Sequence, residues 1–207
     1  MAVKSSFKNM ALCLTAICLV CSALLAGVYA LTAEPIAAAA AAKNEAAIKE
    51  VLPDSAVQIE EVRTVDMDGQ KYEYNLAYDE QGNTVGCAIN VAPVGFGGPI
   101  VIKVGFDVNG VIWNTKVLSQ AETPGLGAKC TESAFAEQFK GFDPSQKKLA
   151  VKKDGGDVDA ITASTITSRA YSDGLALAVK VFNAIVSTPM PLEEVAEVVE
   201  TVEEEVK

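Results

Sequence analysis

The chain contains no histidine. That excludes Ser-His-Asp hydrolysis, His-ligated haem and any zinc site built on imidazole. The body also has no Cys-x-x-Cys pair, which removes zinc-ribbon and thioredoxin-like readings. Basic clusters are missing too. Lys and Arg total 17 against 27 Asp and Glu, a net charge of −10, so nucleic acid, which needs a positive face, is not a partner. The one glycine-rich loop, Gly95-Phe96-Gly97-Gly98-Pro99, lacks the Lys-Ser/Thr of a phosphate-binding P-loop and is followed by a strand pattern. It reads as a tight turn or glycine bulge, with close approach of a flat ligand as the other use of bare backbone. What the chain does have is apolar residues, 50% of 207, enough for one cored domain plus appendages.

Residues 10–31 carry no charge. A bilayer core takes about 20 apolar residues as helix, so this run has the length of a membrane span. Lys4 and Lys8 precede it and Glu34 is the first charge after it, a bias that puts residues 1–9 in the cytoplasm and the body outside. Val28-Tyr29-Ala30 offers a cleavage site for the competing signal-peptide reading. The run exceeds the roughly 7–15 residues of a signal core, which favours a retained anchor. A lipoprotein signal is weaker, because bulky Ile17 and Val20 precede Cys18 and Cys21. Of the five cysteines, Cys13, Cys18 and Cys21 lie in this run and Cys87 and Cys130 in the body. A Cys87–Cys130 disulfide in an oxidising space and two buried thiols both satisfy the sequence.

The alanine-rich residues 37–52 continue the helix out of the membrane, and Pro53 ends it. We take residues 32–55 as a helical connector. From residue 56 the apolar period changes to two. Strands are expected at 57–65 and 71–78 around Asp68-Gly69, at 84–91, and at 99–106 and 111–118 around Asn109-Gly110. A helix follows at 131–139, capped by Thr131 or Ser133, then a short strand at 147–152. Residues 166–186 form the last helix. The expected fold class is α+β: an N-terminal transmembrane helix, then one domain, residues 56–188, with an antiparallel sheet and flanking helices. Residues 189–207 form an acidic tail, read either as a frayed segment or as a weak amphipathic helix docking on a partner subunit.

Two stretches carry possible chemistry. Glu122-Thr123-Pro124-Gly125-Leu126-Gly127 has Pro124 and Gly125 at the centre of a type II turn pattern. Thr162, Ser164, Thr165, Thr167 and Ser168 crowd the start of the last helix, where hydroxyls cap free N–H groups and an anion can also settle. From local chemistry alone a plain N-cap is the favoured reading, because Ser and Thr caps are common.

Together the two stretches, Glu122–Gly127 and Asp159-Ala160-Ile161-Thr162-Ala163-Ser164-Thr165, resemble the paired motifs of FMN-binding domains. These occur in the G subunit of the Rnf complex and the C subunit of sodium-pumping NADH:quinone reductase. Gly97-Gly98-Pro99-Ile100, the hairpin at 107–117 and the single N-terminal span strengthen the resemblance to the Rnf version. It implies FMN held covalently, by a phosphoester from Thr165. Ser164, standing where Ala is usual, is the rival acceptor, and Ala163 takes a position where Gly is common. It further implies that Glu122, Thr123, Gly125, Leu126 and Gly127 line the flavin with Thr162, Ser164, Ile166 and Thr167. Gly125 and Gly127 would admit backbone close to the cofactor, Leu126 would pack on the ring, Thr123 could donate to it, and Glu122 would hold the loop. A separate flavin transferase would make the bond, since an unactivated Thr is a poor nucleophile.

The function expected on this resemblance is that of a membrane-anchored electron-transfer subunit. It would sit in an ion-translocating ferredoxin:NAD⁺ oxidoreductase in the inner cell membrane. Its FMN domain would be extracytoplasmic and its partners the other membrane subunits. It would not be a complete enzyme alone. The alternatives are the equivalent subunit of the quinone reductase, a stand-alone extracytoplasmic flavin carrier, and a binding module without a redox role.

Overall fold

A computed structural model describes residues 6–187; the acidic tail and Lys4 lie outside the described residues. The chain divides into two compact units, one ending at Ala46 and the other beginning at Ala47.

The first unit is built on a single helix, α1 (Phe7–Val51), which runs on into the second. It is long and apolar enough to cross a membrane, with a mean hydropathy of 2.5 over its most apolar 18 residues. Its large side chains from Phe7 to Leu31 are all exposed, as expected of a helix whose surroundings are lipid. Thr15 and Thr32 donate their hydroxyls to the carbonyls of Ala11 and Val28 one turn back, so neither needs water as a partner. Pro35 lies inside the helix. Its missing N–H removes one rung of the ladder without ending it.

The second unit is a six-stranded antiparallel sheet. Its strands are β1 (Gln58–Ile59), β2 (Arg63–Met67), β3 (Gln70–Tyr78), β4 (Thr84–Val91), β5 (Val101–Asp107) and β6 (Ile112–Ser119). They lie in the order β1-β3-β4-β5-β6, with β2 also on β3. Local chemistry sets the hairpins. Asp68 (φ 55°) and Gly69 (φ 76°) are both left-handed, the pairing a two-residue β2–β3 turn demands. Between β5 and β6, the Asp107 carboxylate accepts from the N–H groups of Asn109 and Val111, while Gly110 (φ 80°) takes the left-handed position.

Side chains alternate across the sheet and cover both faces. Leu76, Cys87, Ile89, Ile102, Val104 and Phe106 pack under α3 (Thr165–Ser187), where Leu175, Ala178, Val181 and Phe182 complete the main core. The Phe106 and Phe182 rings stack 5.0 Å apart. Tyr171 of α3 is fully buried between Phe135 and Phe139 and donates to Thr115 Oγ1 at 2.9 Å. On the other face, Ala77 and Ala88 meet Ile48, Val51 and Leu52 from the end of α1. Gly105 allows this: a Cβ there would lie 1.8 Å from the Val51 carbonyl oxygen. Cys87 and Cys130 are both buried free thiols. Burial pushes them up to about 12 and about 11 respectively.

Three expected elements differ. The strand at 57–65 is two short strands, β1 and β2, which both pair with β3 on either side of Glu60–Val62. The helix at 131–139 breaks into a 3₁₀ turn (Gly127–Thr131), a single α-helical turn α2 (Ser133–Ala136) and a second 3₁₀ turn (Glu137–Phe139). Neither Thr131 nor Ser133 caps it: Glu132 holds the cap position without a side-chain bond, and the Thr131 hydroxyl turns back to the Ala128 carbonyl. The strand at 147–152 is absent. Only Val151 bridges, to Val158, and residues Lys152–Asp154 curl into a 3₁₀ turn. Strand propensity there finds no neighbouring strand to form a ladder with.

Candidate functional site

α3 starts where the sequence places hydroxyls. The first intrahelical bond runs from Ser168 N–H to the Ser164 carbonyl, 3.0 Å. Before it the chain makes a tight turn: Ser164 N–H donates to the Ile161 carbonyl, and Ala163 sits at φ 61°. The buried Ser168 hydroxyl braces this turn, accepting from Ile161 N–H at 2.9 Å and donating to the Ser164 carbonyl at 3.0 Å. The amides of Thr165, Ile166 and Thr167 precede the first helical bond. They point out of the helix end with the positive pole of its dipole behind them.

A cavity of about 390 Å³ opens at this helix start, within the range of small-molecule sites. It is lined by Ala163, Ser164, Thr165, Ile166 and Thr167 of the helix start, by Glu122, Thr123, Leu126 and Gly127 of the preceding loop, and by Phe96 of the glycine turn. Three of its lining side chains, Phe96, Leu126 and Ile166, are large, apolar and exposed. Among its lining residues there is no Lys or Arg, so helix amides are the groups offered to a phosphate.

Glu122 ties the three segments together. It is 6% exposed. Its Oε1 accepts from Gly97 N–H at 2.9 Å, and its Oε2 accepts from the Thr167 hydroxyl at 2.7 Å. Both carboxylate oxygens are therefore occupied, as a buried carboxylate requires. The glycines around it are explained by this packing. A Cβ on Gly95 would lie 2.3 Å from Glu122 Oε1, one on Gly97 2.1 Å from the Ala121 carbonyl oxygen, and one on Gly127 2.2 Å from Glu122 Oε2.

Of the site residues expected from the sequence, Glu122, Thr123, Leu126, Gly127, Ser164, Thr165, Ile166 and Thr167 are brought together around the one cavity. Gly125 and Thr162 do not line it. Gly125, at φ 77°, forms the turn closed by Leu126 N–H on the Thr123 carbonyl, with Pro124 before it. Thr162 is exposed on the approach to the helix. Asp159 also stays outside, pairing with Lys152 at 2.7 Å, while its N–H donates to Gln138 Oε1 and its carbonyl accepts from Gln138 Nε2. The structure also sorts the hydroxyls. Thr167 is engaged with Glu122 and Ser168 with the turn. Ser164 and Thr165 remain as lining hydroxyls with no protein partner among the described residues, and Ser164 is the more buried of the two. Phe96 and Ala163 join the site without having been expected in it. The signal for Phe96 was an aromatic residue alone in a glycine turn, and for Ala163 the motif position where Gly is common.

Residues 95–180 match the family model of the FMN-binding domain, and residues 1–51 match that of the RnfG N-terminal region. The chain is 36% identical over 169 residues to the G subunit of the ion-translocating oxidoreductase complex of Methanosarcina acetivorans, covering 80% of this chain and 88% of that protein. To the protein of the same name from Shewanella piezotolerans it is 42% identical over 108 residues, 49% of this chain. That match spans about half, 51%, of the Shewanella protein. The G subunit of the Na(+)-translocating ferredoxin:NAD(+) oxidoreductase complex of Acetobacterium woodii is 31% identical over 154 residues, 67% of this chain and 73% of that protein.

Proposed function

The chain belongs to the family of G subunits of ion-translocating oxidoreductase complexes, and from that premise we propose that it is a membrane-anchored electron-transfer subunit carrying FMN through a phosphoester on Thr165. The observation that carries the proposal is the cavity at the start of α3, where an uncommitted Thr165 hydroxyl, free helix amides and exposed apolar walls converge.

An FMN held there by Thr165, the Thr165–Thr167 amides and the cavity walls would supply the redox chemistry. The chain's own residues do the rest. Thr165 Oγ1 forms the bond to phosphorus. The flavin phosphate would come from an activated donor whose other phosphate half leaves as a nucleoside monophosphate, and a flavin transferase would supply the base that takes the hydroxyl proton. No His lies in the chain to take it. The Thr165–Thr167 amides bind the phosphate oxygens. Leu126 and Ile166 keep water from the ring, and Glu122 holds the walls at a set spacing through Gly97 and Thr167. Because attachment is through phosphate, the tether retains the cofactor and leaves its potential to burial, charge and hydrogen bonds around the ring.

The working partners are the other membrane subunits of an ion-translocating ferredoxin:NAD⁺ oxidoreductase, as the name of the Acetobacterium relative indicates for that protein. Lys4 and Lys8 before the apolar run support a cytoplasmic N-terminus, with the flavin domain across the inner membrane. The test is denaturing gel electrophoresis with in-gel flavin fluorescence after co-expression with a flavin transferase. The wild-type band should fluoresce and the Thr165→Ala band should not. A fluorescent Thr165→Ala band refutes the site, and loss of fluorescence in Ser164→Ala alone moves the bond to Ser164.

A further inference from the structure

Phe96 stands out on this molecule. It is 71% exposed, whereas Phe106, Phe135, Phe139, Phe142 and Phe182 of the same domain are all buried. Single exposed apolar residues are ordinary on protein surfaces. Phe96 differs in that its position is built. The turn that carries it is closed by Gly95 N–H on the Gly98 carbonyl at 2.8 Å and by the Val94–Pro99 bridge, with Ile100 N–H on the Pro93 carbonyl below. Gly97 N–H is bound to the buried Glu122 carboxylate, and neither Gly95 nor Gly97 has room for a side chain. The turn is thus seated on the same carboxylate that holds the start of α3. The one side chain it projects between two glycines is a planar aromatic ring, and that ring lines the cavity.

We propose that Phe96 is a flavin-stacking residue, which covers one face of the isoalloxazine ring held at the start of α3. The inference rests on the FMN reading above and adds a binding residue to it. A rigid turn with an exposed aromatic ring matches what a flat, weakly polar ring system needs. Aromatic faces associate in offset stacks and gain energy beyond area burial, and a ring already fixed in place loses little entropy on binding. Phe suits the task because it has no hydroxyl or indole N–H to compete for the polar edge of the flavin. Val94, 75% exposed on the same turn but outside the cavity lining, serves as a built-in comparison.

The experiment uses the full chain in detergent, flavinylated by co-expressed transferase. Tryptophan in van der Waals contact quenches excited flavin by electron donation, whereas phenylalanine does not. Flavin emission of each protein is read first after denaturation, where it reports flavin content, and then in the native state. The Phe96→Trp protein is expected to match the wild type when denatured and to lose most of its native emission. Val94→Trp is expected to keep the wild-type native emission. Phe96→Ala is expected to expose the ring to iodide, with its stacked-to-unstacked ratio lowered roughly 2- to 12-fold, the span set by one aromatic pair. Folding is not at stake in these variants, because both side chains lie at the surface. Absence of flavin from every denatured chain sinks the cofactor reading itself. Flavin present with Phe96→Trp unquenched, or with Val94→Trp quenched equally, overturns the role of Phe96 alone.

Discussion

Removing the Glu122 carboxylate should loosen the cavity more than any other single change in its lining. The side chain accepts two hydrogen bonds, from Gly97 N–H at 2.9 Å and from the Thr167 hydroxyl at 2.7 Å. Bonds to a charged acceptor contribute about 1.5–3 kcal/mol each, which sets an upper figure near 6 kcal/mol. Glu122→Ala also removes the cost of holding a carboxylate out of water, so the expected loss is about 2–4 kcal/mol. Glu122→Gln keeps the shape. Its amide oxygen can accept from Gly97, and its NH₂ can donate to a rotated Thr167 hydroxyl, so the loss should be about 1–2 kcal/mol. The bond to Thr167 is isolated by a double-mutant cycle with Thr167→Val, where we expect a coupling of about 1–2 kcal/mol. Urea unfolding of the full chain in detergent, followed by the single tryptophan, Trp113, supplies the free energies. Additivity of Glu122→Ala and Thr167→Val within about 0.5 kcal/mol would show that the two side chains do not support each other. The clamp would then be refuted.

Three further outcomes follow from the geometry. Ala163→Gly should stabilise the domain by about 0.5–1 kcal/mol, since relief of a left-handed alanine outweighs the added freedom of glycine; no gain in unfolding midpoint would count against the turn as described. Gly105→Ala should cost about 2–3 kcal/mol, because its methyl group meets the Val51 carbonyl and forces the end of α1 off the sheet; a wild-type unfolding midpoint would contradict that packing. Lys103 is 1% exposed, and burial brings its ammonium down to about 8 from the ordinary 10.5, against a smaller opposing pull from Glu73. The unfolded chain therefore holds more protons between those two values, and stability should rise as pH climbs from 8 to 10.5, by up to about 3 kcal/mol. Below pH 8 the whole penalty is present, so Lys103→Met should be more stable there and should flatten the profile. A Lys103→Met protein whose stability still climbs over that window would assign the effect to another group.

The parts of the fold readable from the chain were those decided by neighbours in sequence. Asp68-Gly69 and Asn109-Gly110 mark hairpins because the left-handed angles of those turns fall on Asp68, Gly69 and Gly110, residue types that adopt them at low cost. β4 falls on the expected residues 84–91, since Val85, Cys87, Ile89 and Val91 keep a period of two from the turn at Asp79–Asn83 to Pro93. α3 begins within one residue of its expected start because Ser and Thr collect where helix amides are unpaired. The errors lie where local preference met a partner it could not see. Residues 147–152 had strand composition without a neighbouring strand, and residues 131–139 had helix composition in a segment too short to propagate a helix.

The candidate site divides along the same line. The order of residues alone determined that a hydroxyl-rich helix start and a Pro-Gly turn exist, that a long apolar helix precedes them, and that histidine chemistry is out of reach. Which hydroxyls are already engaged, why Gly95, Gly97 and Gly127 are glycines, and that Phe96 stands at the cavity were decided only when segments 25 to 45 residues apart closed on Glu122. A buried carboxylate must find donors wherever the fold brings them, and nothing in its immediate neighbours says which donors those are.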